Sequence, residues 1–322
     1  MRILIVGAGA TGTVFGAALV KGGADVTFYV REHHRERLSR GIRLHHQGYF
    51  TLREEKITSI GVATSPSEVA AQAWDQVWIT TPSDALRGAW LDEFLPATAA
   101  TPLVILQPDP EDIQYVRDHG AGDREIIQGL IQFSAWQSPL PHEPADQDGI
   151  TCLVPPGPGA VFDSAHAAGE HIATLLRKGG LRADTRPDLA AHAARMSAAM
   201  IPLIAGLELS GWKLARYAHH EALRLAVAAA REAVNAECAQ SGTGAMPMSF
   251  RLLLNKPATW SLLRLMPWVP GFNAEAFLHY HFSKVDRQTR QMLQTYSRHA
   301  RQNGLPNTAL EQLLGALPPP TH

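Results

Sequence analysis

A short apolar run, Arg2-Ile3-Leu4-Ile5-Val6, passes directly into Gly7-Ala8-Gly9-Ala10-Thr11-Gly12, and this junction limits the possible folds more sharply than any other stretch of the chain. Branched residues without polar alternation suit a strand buried on both faces. Each glycine then has its own physical task. The first permits the tight turn out of the strand, the second lets a ligand phosphate approach the backbone, and the third lets the following helix pack closely on the strand. Val14, Phe15, Ala18 and Leu19 continue as a helix to Lys21, Gly22-Gly23 end it, and Val26 to Val30 reads as a second strand. This order of elements predicts a dinucleotide site, with the pyrophosphate over the helix start at Gly7, Gly9, Ala10, Thr11 and Gly12.

The residue that follows the second strand distinguishes the two nicotinamide dinucleotides. An acid there binds the ribose 2′-hydroxyl of NAD, whereas a guanidinium suits the 2′-phosphate of NADP. Arg31 holds that position; Glu32 is adjacent, but His33, His34 and Arg35 add donors, so NADP is the expected cofactor.

At 322 residues the chain exceeds one ordinary domain, and two are expected, residues 1–186 and 187–322. Strand-like runs at Ile42 to His46, Val77 to Thr81, Leu103 to Gln107, Ile126 to Leu130 and Thr151 to Val154 alternate with helical stretches. Such alternation predicts a doubly wound α/β sheet with some antiparallel strands added late. Thr80-Thr81-Pro82 and Gln107-Pro108-Asp109-Pro110 fall at carboxyl edges of strands, where ligands of such sheets sit, so Thr81 and Gln107 are further cofactor candidates. After Thr185-Arg186-Pro187 strand signals stop. Asp188 reads as the cap of a long helix through Met196, Met200 and Leu203, and apolar stripes predict helices over His220 to Ala239 and Asn273 to Asn303, the last closed by Gly304. Leu317-Pro318-Pro319-Pro320 reads as a disordered tail.

A net charge of −1 with both signs dispersed provides no basic stripe for nucleic acid and no polybasic anchor. No segment reads as long and apolar enough to span a bilayer. The expected partners are therefore a small-molecule substrate and a possible second copy, with neither nucleic acid nor membrane. Cys152 and Cys238 lie far apart without a CxxC pattern, which predicts no disulfide framework and a reduced, cytoplasmic setting. The opening run carries one Arg and no cleavage-like site before the glycine helix, so it does not read as a secretion signal.

These residues resemble the ketopantoate reductases (2-dehydropantoate 2-reductases). The resemblance rests on GAGATGTVFGAALVKGGADVTFYVRE, RLSRGIRL, the Gln107 strand, GLIQFSAW at Gly129 to Trp136, the Pro202-Leu203 helix and Arg298 to Pro306. It implies an N-terminal Rossmann-type doubly wound sheet, a C-terminal all-helical domain for substrate and dimer contacts, NADP as cofactor, and reduction of a 2-keto acid. The family fills its substrate and proton-donor roles with a lysine, asparagines and a glutamate. By spacing from Pro202 and Gly304, this chain has Ala193, Ser197 and Ile201 at the lysine and asparagine positions and Gln288 at the glutamate, while Asn273 is kept. Pro82 and Pro108 replace a lysine and an asparagine of the first domain. Ser197, Asn273 and Gln288 are thus the substrate candidates.

Two replacements for the missing lysine are conceivable. Asn273, Phe277, Tyr280, Lys284 and Gln288 recur at helical spacing, so Lys284 or Tyr280 is a candidate proton donor on their shared face. A slip of register would instead bring Arg195 to the lysine position, where a guanidinium binds a carboxylate but donates protons poorly. Three functions remain open: an NADP-dependent reductase of this type whose carbonyl or imine substrate need not be ketopantoate, a true ketopantoate reductase with a relocated acid, and a catalytically silent NADP-binding protein.

The fifteen histidines predict no metal site, because His33-His34, His45-His46 and His219-His220 are expected to point apart and His279-x-His281 diverges on a helix. Ser134 and Ser210 lack the context of a hydrolase nucleophile. The segment Gly242 to Phe272, rich in Leu, Trp and Pro, reads as core or a dimer contact in preference to a lid over an apolar substrate.

Overall fold

A computed structural model describes residues 1–98, 100–141, 143–144 and 146–320. It divides into two compact units, Met1–Leu189 and Ala190–His322. Among the described residues, twelve strands form two sheets in the first unit. They are β1 (Arg2–Val6), β2 (Asp25–Tyr29), β3 (Ile42–Gln47), β4 (Leu52–Ile57), β5 (Gly61–Ala63), β6 (Gln76–Ile79), β7 (Leu103–Ile105), β8 (Ile126–Ile131), β9 (Ser134–Ser138), β10 (Gly149–Leu153), β11 (Ala160–Asp163) and β12 (Ala183–Arg186).

The larger sheet runs β12-β11-β8-β7-β6-β1-β2-β5. From β5 to β8 it is parallel throughout, which is the doubly wound order with its topological switch between β1 and β6. β11 pairs antiparallel to β8, as expected of late additions. β1 is buried on both faces: Ile3 and Ile5 join the core that holds Phe15, Trp78 and Phe162, while Leu4 and Val6 join the one that holds Val77, Phe94 and Ile105. That two-sided burial is why the strand lacks polar alternation.

The smaller sheet, β4-β3-β10-β9, corrects the expectation of a single sheet. Ile42 to His46 and Thr151 to Val154 were expected to extend the doubly wound sheet, but β3 and β10 pair with each other in the separate layer. The first helix, Ala10–Gly22, packs against β3, β9 and β10, and its Phe15 shares one core with Ile42, Ala135 and Ile150. A hydrophobic run reports burial but not which sheet it joins.

Within the second unit the described elements are helical. Leu189–Leu209 starts directly after Asp188, and Glu221–Gln240 is capped by His220, whose Nδ1 accepts from the Ala222 N–H at 3.1 Å. Contrary to expectation, Leu189–Leu209 is long and apolar enough in composition to cross a membrane. More than half of its most apolar window is buried, and Ala198, Ile201, Ile204 and Ala205 pack with Val234, Leu293 and Tyr296. The helix expected over Asn273 to Asn303 is two, Ala274–Lys284 and Asp286–Gln302, broken at Val285 with φ −117° and ψ 30°. The proline tail is tied down at its start, where Arg290 donates from Nε and Nη2 to the Pro318 carbonyl at 3.2 and 2.6 Å.

Candidate functional site

The carboxyl edge of the larger sheet gathers the glycine-turn candidates. Gly7 has φ +97°, the left-handed region that favours glycine, and this turns the chain out of β1. A Cβ on Gly12 would lie 2.3 Å from the Gly7 carbonyl oxygen, so the close approach of helix to strand needs a glycine there. At Gly9 a Cβ would meet nothing within 4 Å. Gly9 is also the N-cap and supplies no side-chain cap, so the N–H groups at the Ala10, Thr11 and Gly12 turn face an open cradle. The three glycines thus divide into turn, opening and close packing, as the sequence pattern requires.

Two further residues shape this edge. Thr80, absent from the candidates read from sequence, donates its hydroxyl to the Val6 and Gly7 carbonyls at 2.8 and 3.1 Å, which ties β6 to the turn. The buried Gln107 donates from Nε2 to the Ile79 and Thr81 carbonyls at 3.0 and 2.6 Å. Gln107 therefore holds the ends of β6 and β7 together, with its amide hydrogens committed to backbone. Beside it the Thr81 Oγ1 is buried and has no hydrogen-bond partner among the described residues. An orphaned hydroxyl at a strand end is what a bound polar ligand would satisfy.

At the end of β2, Arg31 is exposed and opens a short 3-10 turn over Glu32–His34. Glu32 is engaged by its neighbours: Arg35 Nε donates to its carboxylate at 3.0 Å, and the Thr64 hydroxyl donates to it as well. The Thr64 and Arg35 donors hold the Glu32 carboxyl below the usual range. Arg35 in turn donates from Nη2 to both Glu68 oxygens at 2.7 and 2.9 Å. Arg35 is thus committed to carboxylates, whereas Arg31 has no carboxylate partner among the described residues.

After β6 and β7 lies a buried polar group that sequence reasoning missed. Ser83 Oγ donates to Asp112 Oδ2 at 2.6 Å, Arg87 Nη1 donates to Asp112 Oδ1 and to the Ser83 carbonyl, and the Arg87 guanidinium lies 4.6 Å from the centre of the Tyr115 ring. Burial, helped by nearby Asp109, pushes the Asp112 carboxyl up to about 6 against the pull of Ser83 and Arg87. The only signal in the sequence was an acid within a Pro-rich loop.

In the second unit the candidates separate. Lys284 is exposed and donates to the Tyr280 hydroxyl, with its ammonium 4.0 Å from the centre of that ring. Asn273 is the N-cap of the same helix and spends its side-chain oxygen on the Ala276 N–H at 3.0 Å. Gln288 is buried and lies beyond the break at Val285, so the single face expected from Asn273 to Gln288 does not continue through it. Arg195 and Ser197 are buried on Leu189–Leu209. Arg195 donates from Nη1 to the Thr243 hydroxyl at 3.1 Å, and its Nε is buried without a partner among the described residues. Ala193 and Ile201 are buried too, Ile201 inside the helical core.

Among the described residues no group of three or more His, Cys, Asp or Glu is placed to hold a metal ion. One premise about the histidines is corrected: the His33 and His34 rings lie with centres 4.0 Å apart, because a 3-10 turn brings neighbours together where a strand would part them. Cys152 Sγ stands 3.7 Å from His46 Nδ1, and His46 Nε2 is 2.9 Å from Glu55, an arrangement that resembles a nucleophile and its base. Burial and Glu55 push that thiol up to about 12, which keeps it protonated and inert.

Residues 3–139 match the family model ApbA, ketopantoate reductase PanE/ApbA. That segment is similar to the ketopantoate reductase domain. Solved ketopantoate reductases share the fold along nearly the whole chain. The PanE/ApbA family ketopantoate reductase from Ralstonia eutropha JMP134 aligns at 18% identity over 98% of this chain and 96% of its own, with a TM-score of 0.70. The 2-dehydropantoate 2-reductase from Geobacter metallireducens GS-15 aligns at 16% identity over 98% and 99%, with a TM-score of 0.73. A D-mandelate dehydrogenase, solved as a ternary structure with NADH and anilino(oxo)acetate, aligns at 15% identity over 98% and 96%, with a TM-score of 0.70. No curated protein matches the sequence significantly. At such identities the shared property is the fold.

Proposed function

We propose that the chain is an NADPH-dependent oxidoreductase of the ketopantoate reductase type, reducing a 2-keto acid or a related carbonyl or imine that need not be ketopantoate. The observation that carries this reading is the open cradle at Gly9, bounded by the Gly7 turn and the close-packed Gly12, at the switch between β1 and β6. Residues 1–186 would hold the dinucleotide. Backbone N–H groups of Ala10, Thr11 and Gly12 would bind the pyrophosphate, Thr81 would offer its unpaired hydroxyl near the nicotinamide end, and Gln107 would keep both strand ends in place. Arg31 favours NADP, since its guanidinium matches a 2′-phosphate and Glu32 is already matched by Arg35.

Bound NADPH would supply the hydride. Residues 187–322 would hold the substrate and any dimer contact. The Tyr280–Lys284 pair is a relocated proton donor for the alkoxide or amide nitrogen left by reduction, and the partly unsatisfied Arg195 is a binding group for a substrate carboxylate. Ser197, Asn273 and Gln288 would complete the substrate contacts.

A second reading, a catalytically silent NADP-binding protein, is favoured by the burial of Ala193, Ser197 and Ile201 where the family resemblance implies a lysine and asparagines. NADPH oxidation by the purified protein with ketopantoate, against a control without substrate, separates the readings. Rapid turnover supports true ketopantoate reduction with a relocated acid. Tight NADPH binding without turnover on ketopantoate moves the search to other 2-keto acids and imines, and silence across that set supports the second reading. Failure to bind either nucleotide would sink both.

A further inference from the structure

The segment Gly242 to Phe272 was expected to be core or a dimer contact, and its outer face is exposed. Met246, Phe250, Leu254 and Leu263 turn inward and pack in the two cores of the helical unit. On the helices Met248–Leu253 and Lys256–Leu265 and the turn after them, Met248, Leu252, Leu253, Leu262, Leu265 and Trp268 are exposed, Trp268 at 81%. A helix pair apolar on its outer as well as its inner side marks a surface that something covers.

Charge indicates what covers it. Between Glu237 and Glu275 the chain has no acidic residue, and its charged groups are Arg251, Lys256 and Arg264, all exposed. The Arg264 guanidinium lies 5.7 Å from the centre of the Trp260 ring, so cation and aromatic occupy one surface. A two-fold contact with a second copy through this face would set three cations against the same three. An anionic bilayer instead accepts both features: the cations meet the headgroups, Leu side chains enter the acyl boundary, and Trp settles at headgroup level. The flanking Pro267 and Pro270 hold Trp268 on an exposed turn suited to that depth.

We propose that the Met248–Trp268 face docks the protein peripherally on anionic lipid. The even overall charge gave no hint of this, because the cations are offset by acids elsewhere in the chain. This surface is independent of the cofactor cradle, so its test does not depend on turnover.

The purified full chain is sedimented with vesicles of phosphatidylcholine alone and of phosphatidylcholine mixed with phosphatidylglycerol, with tryptophan emission followed in parallel. The expected result is salt-sensitive binding to the mixed vesicles, at least about tenfold weaker to neutral ones, with a blue shift of emission. Leu265→Ser with Trp268→Ser abolishes binding, and both sites are exposed, so the thermal midpoint is retained. Arg251→Gln, Lys256→Gln and Arg264→Gln together remove the preference for the anionic vesicles, which keeps the proposal testable should the apolar variant misfold. Absence of binding to mixed vesicles overturns the proposal, as does equal binding to both. Self-association that shields Trp268 without any vesicle binding overturns it as well and assigns the face to a second copy.

Discussion

The Gly12 α-carbon stands so close to the Gly7 carbonyl oxygen that an added Cβ would fall 2.3 Å from it, while three residues earlier Gly9 faces open space. The two positions therefore fail differently when substituted. Gly12→Val should disrupt packing and cost about 2 kcal/mol or more of stability, as overpacking against backbone does. Gly9→Val should leave the thermal midpoint within a few degrees yet weaken NADPH binding at least about tenfold, by filling the space a phosphate needs. Thermal melts and fluorescence titrations of both variants check this; loss of stability at Gly9 with binding kept would contradict it.

On the proposed function, Arg31 would set the nucleotide preference. Arg31→Gln should weaken NADPH by about tenfold to a hundredfold, the worth of charge-assisted hydrogen bonds to a phosphate, and leave NADH nearly unchanged. Arg35→Gln should shift the same ratio toward NADH without touching the phosphate, because it releases Glu32 from its partner. Dissociation constants for both nucleotides decide it, and parallel losses for NADPH and NADH would rule it out.

As the proposed proton donor, Tyr280 and Lys284 would act as a pair. Lys284→Met and Tyr280→Phe should each lower kcat by about 10²-fold or more on an active substrate, in keeping with the loss of a general acid, while the NADPH dissociation constant holds. Lys284 is exposed and Tyr280 only half-buried, so neither change should unfold the protein. An unchanged kcat would return Lys284 to the role of a solvated surface cation.

His281 gives the helical unit an acid-sensitive term. Burial, with Lys284 nearby, pushes its imidazole down to about 4, and it stacks beside Phe277 with ring centres 5.5 Å apart. The unfolded chain binds this proton near pH 6.5, so between about 4 and 6.5 unfolding takes up a proton and stability falls as pH falls. The contribution is fully present above pH 6.5, and about 2 kcal/mol of it is lost by pH 5. His281→Gln should flatten that limb in denaturant titrations at pH 7 and pH 5. An equally steep limb in the variant would assign it to other groups.

The opening unit was legible because its constraints are local. A strand buried on both faces, a turn that needs a positive φ at Gly7 and a helix pressed against that turn each demand particular residues at fixed spacing, and Arg2 to Arg31 carries them all. The same logic placed Arg31, Thr81 and Gln107 just past strand ends, where the structure has them, since strand ends are marked in the sequence.

Other features depend on partners distant in the chain. The hydrophobic pattern could not show that β3 and β10 form their own layer, because pairing requires residues about a hundred positions apart to meet. Asp112 gave no sign of joining Ser83 and Arg87, and Glu32 gave no sign of being matched by Arg35 and Thr64. The break at Val285 escaped notice because helical spacing of Tyr280, Lys284 and Gln288 persists across it. Leucines and tryptophans of residues 242–272 read as core or a dimer contact, and only the tertiary structure decided which of them face inward. Apolarity in a sequence records what avoids water in the final state, whereas the packing of distant elements determines whether protein or some other surface excludes it.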